Sequence, residues 1–351
     1  MPELGLDGGS QTRRQFLAKS SVLAGASVAG ALPHALASGT EKSRRRKTLL
    51  SFYCDDTSPY VAGAKAFQTF LDYCAEHGIA GESSCILGGK GHSMARDPNE
   101  QEQAFLKQVE RAWNCGLGTH MELMTHHGLF DFEANREPES VIHEGLWLYE
   151  PAITVEQYTR YFGGILAEGE RAGIRFCGLT WPGCSCSACE RRYAELRANG
   201  QIKPNPAVWS ALLELAKQKK FRSQTVPCFF DSSETEYGSN RKASDGSWAV
   251  YDLVPNAGDH FGIWENNLDR VQPDYYISAD GKSGVIVRHL ERGSPYCIWY
   301  AHWQGLNPAT GVGWRAFTTV AERIREHLGG RVVCYAKVVV MERCSRRSSR
   351  G

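Results

Sequence analysis

The sequence has almost no excess of charge of either sign. Its 40 lysines and arginines stand against 39 aspartates and glutamates, which gives a formal net charge of +1 at pH 7. Binding to nucleic acid or to an anionic surface usually requires a basic excess. The balance therefore argues against both kinds of partner, and we expect no nucleic-acid partner.

The sequence also lacks internal repeats, low-complexity linkers and, after its first few dozen residues, long apolar runs. A bilayer span needs roughly 20 consecutive apolar residues, so we expect no stable membrane span in the mature chain. The 351 residues are 42% hydrophobic, enough for a sizeable core in one large domain or two small ones.

Aromatic residues, by contrast, are abundant: the chain has 9 Trp, 14 Tyr and 14 Phe. Their rings suit the faces of sugars as well as a protein core, and burial in a core is the commoner case. Three tryptophans are candidates for stacking on a sugar substrate: Trp181, Trp264 and Trp303.

The first 37 residues are typical of an export signal. A charged start that contains Arg13-Arg14 precedes a run of small apolar residues, 20–32, and the tripeptide Ala35-Leu36-Ala37. The arginine pair followed by Phe16-Leu17 resembles a twin-arginine signal. We therefore predict a twin-arginine signal peptide at 1–37, the twin-arginine export machinery as a partner, and a periplasmic or extracellular location. The alternative is an ordinary basic amphipathic N-terminus.

All 12 cysteines follow this leader, and an exported protein is permitted disulfides. Six of them stand singly in apolar runs and are predicted to be small buried hydrophobes: Cys54, Cys74, Cys85, Cys177, Cys228 and Cys297. A different pattern is formed by Cys184, Cys186 and Cys189, whose close spacing suits a metal with a fourth ligand or one local disulfide. We predict a structural role for these three thiols and leave both forms open.

Apolar runs that end in turn signals alternate with stretches of helical spacing between residues 48 and 335. The strand Thr48–Asp56 is followed by a helix at Val61–His77, and a late aromatic strand occupies Pro295–His302. This alternation predicts a mainly parallel sheet, and the number of units favours an irregular seven-stranded (β/α) barrel, closed or nearly closed. A weaker strand is predicted at Asp274–Ser278.

The ends of this domain are marked by changes in composition. Residues 38–47 are a basic run that we interpret as a solvated linker, and residues 336–351 form an atypical basic tail.

Residues that can carry chemistry stand at the ends of several predicted strands. Asp55 and Asp56 end the first strand, His120 lies near the end of another, Trp181-Pro182-Gly183 ends a third, and His302 ends the late aromatic strand. The carboxyl ends of parallel strands share one edge of an α/β sheet, where such folds place their chemistry. The alternative for the acid pair is that one caps the next helix and the other is solvated.

In this order the motifs resemble those of the polysaccharide deacetylase family (NodB-like, carbohydrate esterase type), over about residues 49–333. The resemblance implies that Asp55 is the general base and His302 the general acid. It implies that Asp56 and His120 bind a divalent metal, usually zinc, together with a second histidine.

The chain departs from the family pattern at three positions. Thr57 stands where the family has glycine, and Trp181 where it has arginine. Met124 occupies the place of the second metal histidine, and the nearest substitute is His126. Along an extended strand His120 and His126 would lie roughly 20 Å apart, so one ion can bind both only if the residues between them fold back.

The activity that the resemblance implies is hydrolysis of N- or O-acetyl groups on a carbohydrate. The chemistry is coherent, because a divalent metal polarises the acyl carbonyl and activates water, a carboxylate takes the proton, and an imidazole protonates the leaving group. We therefore predict an exported metal-dependent hydrolase with zinc as its metal and a carbohydrate as its substrate.

Two other classes of protein remain open. A metal-free glycosidase would need two carboxyl groups about 5–10 Å apart, taken from the acids in or near the long loop 129–151: Glu122, Asp131, Glu144 and Glu150. A carbohydrate-binding protein without activity would account for the missing second histidine and for the aromatic content.

Overall fold

The computed structural model describes residues 48–89, 91–137, 143–183, 187–198, 204–229 and 239–334. All of them belong to one compact unit, Arg45–Gly351. The predicted signal peptide at 1–37, the linker at 38–47 and the tail at 336–351 lie outside the described residues.

Strands and helices alternate through most of this unit. The strands are β1 (Thr48–Asp55), β2 (Gly81–Cys85), β3 (Gly88–Gly89), β4 (His92–Ser93), β5 (Leu117–Met121), β6 (Gly178–Thr180), β7 (Thr225–Phe229), β8 (Ser239–Asp245), β9 (Trp248–Leu253), β10 (Tyr296–His302) and β11 (Val332–Cys334). The helices are α1 (Pro59–His77), α2 (Glu100–Ala112), α3 (Glu144–Trp147), α4 (Val155–Arg171), α5 (Ser187–Ala198), α6 (Pro206–Lys217), α7 (Pro273–Tyr276), α8 (Val285–Glu291), α9 (Trp303–Leu306) and α10 (Trp314–Arg323). A single π-helical turn, Ile324–Leu328, continues α10.

The main sheet is curled, mostly parallel and open. Its strands lie in the order β10-β1-β2-β5-β6-β7-β9-β8, and β11 also pairs with β1. Of the neighbouring pairs only β8 and β9 are antiparallel. The mixed α/β class is therefore confirmed, whereas the closed seven-stranded barrel is wrong: among the described residues the sheet has 9 strands and forms a half-barrel.

The edge of β9 that would pair with β10 in a closed barrel is occupied by β8. In a closed barrel β9 would pair with β10, but β9 forms a hairpin with β8 instead. The chain just after β9 contacts β10 through a bridge between Ala257 and Trp299 and through side-chain hydrogen bonds of Asn256 and Asp259. The sequence of β8, SNRKASD, is polar and lacks a regular apolar alternation, so its period gave no sign of a strand.

Local sequence explains where the first units begin and end. The β1 run TLLSFYCD is buried at seven of its eight positions. Ser58 caps α1 by accepting a hydrogen bond from Tyr60 N, Pro59 occupies its first turn, and Gly78 ends it at φ 65°. The predicted strand at Asp274–Ser278 is wrong. Pro273 lies in the first turn of the short helix α7 there, as Pro59 does in α1.

The core lies between the sheet and the helices that cover its outer face. Phe52 on β1 contacts Phe70 of α1, Trp299 of β10 and Phe317 of α10, with ring centroids 6.0, 4.8 and 4.9 Å apart. The six single cysteines of the sequence prediction are confirmed as buried. In the part of the chain that the structure describes, no helix has the length and apolar character of a membrane span.

Candidate functional site

The carboxyl ends of β10, β1, β2 and β5 meet at one edge of the sheet, because these four strands are parallel neighbours. Asp55 pairs with His302 across β1 and β10. Asp56 follows at φ 58°, a left-handed conformation that few residues other than glycine adopt. We call five residues at this edge the edge site: Asp55, Asp56, Glu122, His126 and His302.

Three residues of the edge site bring possible metal ligands together. One donor atom each from Asp56, Glu122 and His126 lies within 4.8 Å of the other two. His126 Nε2 is 3.5 Å from Asp56 Oδ1 and 3.2 Å from Glu122 Oε1. Ligands bound at about 2.1 Å to one tetrahedral ion lie about 3.4 Å apart, so these separations suit a shared cation.

The electrostatics of these carboxylates favour a cation as well. Burial, followed by repulsion from Asp55 and Asp56, raises the pKa of Glu122 well above its usual range. Burial opposes ionisation of Asp56, but attraction to His302 and then to His126 outweighs it, so the pKa of Asp56 is lowered. A divalent ion would relieve the repulsion among the three acids. The donor set, two carboxylates and one imidazole, fits zinc and related divalent metals.

The predicted ligand His120 does not share this group. It lies on β5 with its ring fully buried, and its Nδ1 is 3.3 Å from Thr180 Oγ1. Among the described residues it belongs to a second group of possible ligands, with Glu82 and Cys177. The position that the sequence analysis gave to His120 beside Asp56 is taken by Glu122.

A fold-back of the chain after β5 places His126 next to Asp56. Leu123 and His126 both have positive φ, 52° and 62°. The buried carboxylate of Glu144 accepts backbone hydrogen bonds from Met124 N at 3.2 Å, Thr125 N at 2.9 Å and His126 N at 2.8 Å, and a further one from the Tyr161 hydroxyl. Glu144 thus holds the loop that the sequence analysis required for any histidine beyond β5 to reach the site.

Replacing Glu144 with alanine is expected to lower the free energy of unfolding by about 3 kcal/mol, since buried backbone donors would lose their acceptor. Urea unfolding followed by tryptophan fluorescence measures this. The control is Glu156→Ala, because the Glu156 side chain is 83% exposed and its ion pair with Arg160 should contribute little. Equal stability of the two variants would contradict this role for Glu144.

Asp55 lies beside the metal-ligand group. Its Oδ1 is 2.7 Å from the Tyr53 hydroxyl. Burial, and then the neighbouring Asp56 carboxylate, raises the pKa of Asp55. A raised pKa makes a carboxylate a stronger base near neutral pH.

His302 is held by a carboxylate that the sequence analysis did not identify. Asp259, in the segment after β9, accepts hydrogen bonds from His302 Nδ1 at 2.8 Å and from His302 N at 2.9 Å. The Tyr300 hydroxyl lies 2.9 Å from His302 Nε2. Burial lowers the pKa of His302, but the bond to Asp259 and the charges of Asp56 and Asp55 outweigh it and raise the pKa to about 9. The imidazole is therefore protonated at neutral pH.

Two further polar contacts orient the site. Gln304, which follows β10 in α9, donates from Nε2 to Asp56 Oδ2 at 2.9 Å. Ser84 on β2 donates to Glu122 Oε2, which also accepts the Asp56 backbone N–H at 3.1 Å. Asp259 gave no sequence signal, because it reaches His302 from a segment 43 residues earlier in the chain. Gln304 lies two residues after His302, but its amide carries no sign of a role at the site. Glu122 did carry one, since it is an acid two residues after His120 near a strand end.

The three predicted substrate-stacking tryptophans lie in different surroundings. Trp303 is fully buried, with its ring against Phe67 and Phe70, so it has no open face for a sugar. Trp181 is 8% exposed, and its ring contacts Tyr149. Trp264 is 47% exposed. Stacking on a sugar therefore remains a prediction, and Trp264 is the strongest candidate for it.

The predicted thiol group at 184–189 is not tested. Cys184 and Cys186 lie outside the described residues, and Cys189 falls within α5.

Comparisons with known proteins find no matching family model and no matching curated protein. Among solved structures, a T48 deacetylase with substrate is similar over 84% of this chain and 92% of that chain, with 10% sequence identity and a TM-score of 0.37. A variant of α-amylase I from Eisenia fetida in complex with maltohexaose is similar over 52% of this chain and 45% of that chain, with 11% identity and a TM-score of 0.23. Neither similarity is strong enough to establish a family or an activity.

Proposed function

We propose that this chain is a metal-dependent hydrolase that removes acyl groups from a carbohydrate. The observation that carries the proposal is the meeting of Asp56, Glu122 and His126 donors within 4.8 Å of one another. Asp55 lies next to this group, and His302 pairs with Asp55 across the strands. Asp56, Glu122 and His126 would hold the divalent metal, with zinc as the first candidate.

When bound, the metal supplies Lewis-acid polarisation of the acyl carbonyl. The protein side chains divide the proton transfers between them. Asp55, whose pKa is raised by burial, accepts the proton of the attacking water. Protonated His302 donates a proton to the departing amine or alcohol, while Asp259 stabilises its imidazolium and fixes the orientation of its ring.

The Tyr300 hydroxyl restricts how His302 can donate. The imidazolium donates a hydrogen bond from Nδ1–H to Asp259, so the proton for the leaving group must come from Nε2, which faces Tyr300. The leaving group therefore either displaces Tyr300 from Nε2 or receives the proton through the Tyr300 hydroxyl. In the first case Tyr300 positions the acid, and in the second it relays the proton to the leaving group.

The other acids of the loop are already buried, hydrogen-bonded or ion-paired, which disfavours the alternative that two of them are the carboxyl groups of a glycosidase. Glu144 is buried under the loop that carries His126. Asp131 Oδ1 accepts the backbone N–H groups of Glu133 and Ala134, and Glu150 forms an ion pair with Arg192. Carbohydrate as the substrate, and export by the twin-arginine route, rest on the sequence motifs.

The test measures the metal content and the activity of the chain that starts at residue 38. The purified protein is assayed on acetylated oligosaccharides and aryl acetates, before and after chelation and metal return. We expect Asp56→Asn and His126→Ala each to lose one metal equivalent and the activity, whereas the neighbouring His127→Ala keeps both. Less than about a tenth of an equivalent of transition metal, with no activity on adding it back, would refute the proposal.

The acid role of His302 predicts the alkaline limb of the pH profile. A group with a pKa of about 9 is protonated below that pH, so kcat/KM should fall as the pH rises through about 9. His302→Gln should lower kcat/KM by about 10²-fold or more at pH 7 and remove that limb. A pH–rate series from 6 to 10.5, with His77→Gln as control, measures both effects. An alkaline limb that survives in His302→Gln would exclude His302 as the acid.

A further inference from the structure

Beneath the edge site lies a second group of potential ligands, Glu82, His120 and Cys177, which we call the inner group. One donor atom from each lies within 4.8 Å of the other two. All three residues are buried, with exposed fractions of 1%, 0% and 0%. They offer a carboxylate, an imidazole and a thiol, and no member is shared with the ligands at the edge site.

The strand order brings the inner group together. Glu82 lies on β2, His120 on β5, and Cys177 directly before β6, and these strands are adjacent and parallel. Glu82 pairs in register with Gly118, and His120 pairs with Gly178. The three side chains therefore come from neighbouring positions on one wall of the half-barrel.

Two glycines provide the space for these side chains. A Cβ at Gly118 would lie 2.7 Å from Cys177 Sγ and 3.0 Å from Glu82 Cγ. A Cβ at Gly178 would lie 2.4 Å from His120 Nε2. The distances to Cys177 Sγ and His120 Nε2 are shorter than real Cβ contacts, so neither position accepts a larger residue while the inner group keeps its place. The contact at Gly178 also places His120 Nε2 beside the Gly178 backbone, which directly follows Cys177.

A chain of hydrogen bonds favours one tautomer of His120 when the Tyr53 hydroxyl donates to Asp55 rather than to Thr180. The Tyr53 hydroxyl is 2.7 Å from both Asp55 Oδ1 and Thr180 Oγ1, and Thr180 Oγ1 is 3.3 Å from His120 Nδ1. If Tyr53 gives its one proton to the carboxylate, Thr180 donates to Tyr53 and must accept from His120 Nδ1–H. Nε2, beside Gly178, then carries the lone pair, and a hydrogen-bonded Nδ1–H is the usual support of a ligating histidine.

We propose that the inner group binds a transition-metal ion of the zinc class through Cys177 Sγ, His120 Nε2 and the Glu82 carboxylate. A thiolate with an imidazole selects such metals over magnesium and calcium. Full burial is typical of a structural site rather than a catalytic one. The ion would join β2, β5 and β6 beneath the edge site, and Thr180 and Tyr53 would connect it to Asp55. The proposal does not depend on the activity proposed for the edge site.

Cobalt substitution tests the inner group by a signal that the edge site lacks. A thiolate bound to Co²⁺ gives a strong charge-transfer band in the near ultraviolet, whereas carboxylate and imidazole ligands do not. The other sulfur-rich segment is removed first, by changing Cys184, Cys186 and Cys189 to serine in the chain starting at residue 38. After metal removal and reloading with Co²⁺, we expect the band in this triple variant.

Two added substitutions then assign the band to its site. Cys177→Ser in the triple variant should abolish the band and one equivalent of bound metal, whereas Asp56→Asn should keep the band and lose a different equivalent. If Cys177→Ser does not fold, Glu82→Gln should shift the band without abolishing it. Absence of the band from the triple variant, or a band unchanged by both Cys177→Ser and Glu82→Gln, would show a metal-free core group and overturn the proposal. Loss of metal in Asp56→Asn without loss of the band keeps the two sites distinguishable.

Discussion

Asp55→Asn is expected to lower kcat/KM by about 10³-fold while the edge site keeps its metal. Asp55 is adjacent in sequence to Asp56, yet only Asp56 belongs to the group of three possible ligands. Burial raises the pKa of Asp55, which suits proton acceptance. An asparagine keeps the shape and the hydrogen bond to Tyr53 but cannot accept the proton of the attacking water.

Asp56→Asn supplies the contrast. Asp56 Oδ1 is 3.5 Å from His126 Nε2, and its Oδ2 accepts from Gln304. Loss of its charge should weaken metal binding by about 10-fold or more, enough for the purified variant to lose its edge-site equivalent, with activity restored in part at high metal concentration. Metal titrations and kcat/KM are measured for both variants, with the exposed, Arg111-paired Asp72→Asn as control. Loss of metal in Asp55→Asn, or rescue of its activity by added metal, would assign Asp55 to metal binding instead.

Gly81→Ala is expected to destabilise the fold by about 3 kcal/mol or more. Gly81 starts β2 and pairs with Phe52 of β1. A Cβ there would lie 1.8 Å from the Phe52 carbonyl oxygen and 2.6 Å from its carbon, both backbone atoms that cannot rotate away. Relief requires the two strands to separate, and β1 carries Asp55 at its end. The variant should therefore lose expression yield or unfold at lower urea.

Gly183→Ala is the matched control, because a Cβ at Gly183 meets no atom of the described residues within 4 Å. Its free energy of unfolding should stay within about 0.5 kcal/mol of the unsubstituted chain. Urea unfolding of Gly81→Ala, Gly183→Ala and the unsubstituted chain compares their free energies of unfolding. If Gly81→Ala is as stable as the control, β1 and β2 do not approach as closely at Phe52 as the structure indicates.

Most of the strands and helices were predictable because they depend on local patterns. The apolar run before Asp55 and the aromatic run before His302 each formed a strand, and both belong to the parallel part of the sheet. Closure of the sheet was not predictable from such patterns. It depended on β8, a polar strand that pairs with β9 and occupies the edge that β10 would need.

The candidate site, like the fold, was predictable only in part. Asp55, Asp56 and His302 were found from the sequence because each stands at a strand end, and parallel strand ends share an edge. Glu122 was missed because the sequence does not show which of His120 and Glu122, two residues apart near the end of β5, reaches Asp56. Glu122 does, whereas His120 belongs to the inner group.

The sequence by itself determined the alternation of strands and helices, the acid pair at the end of β1 and the histidine at the end of β10, since each follows from the period and chemistry of neighbouring residues. The tertiary structure decided which distant side chains meet. Asp259 reaches His302, and Glu144 holds the loop of His126, through contacts between segments far apart in the chain. Such contacts depend on strand order, register and backbone turns with positive φ, and no local pattern of residues specifies them.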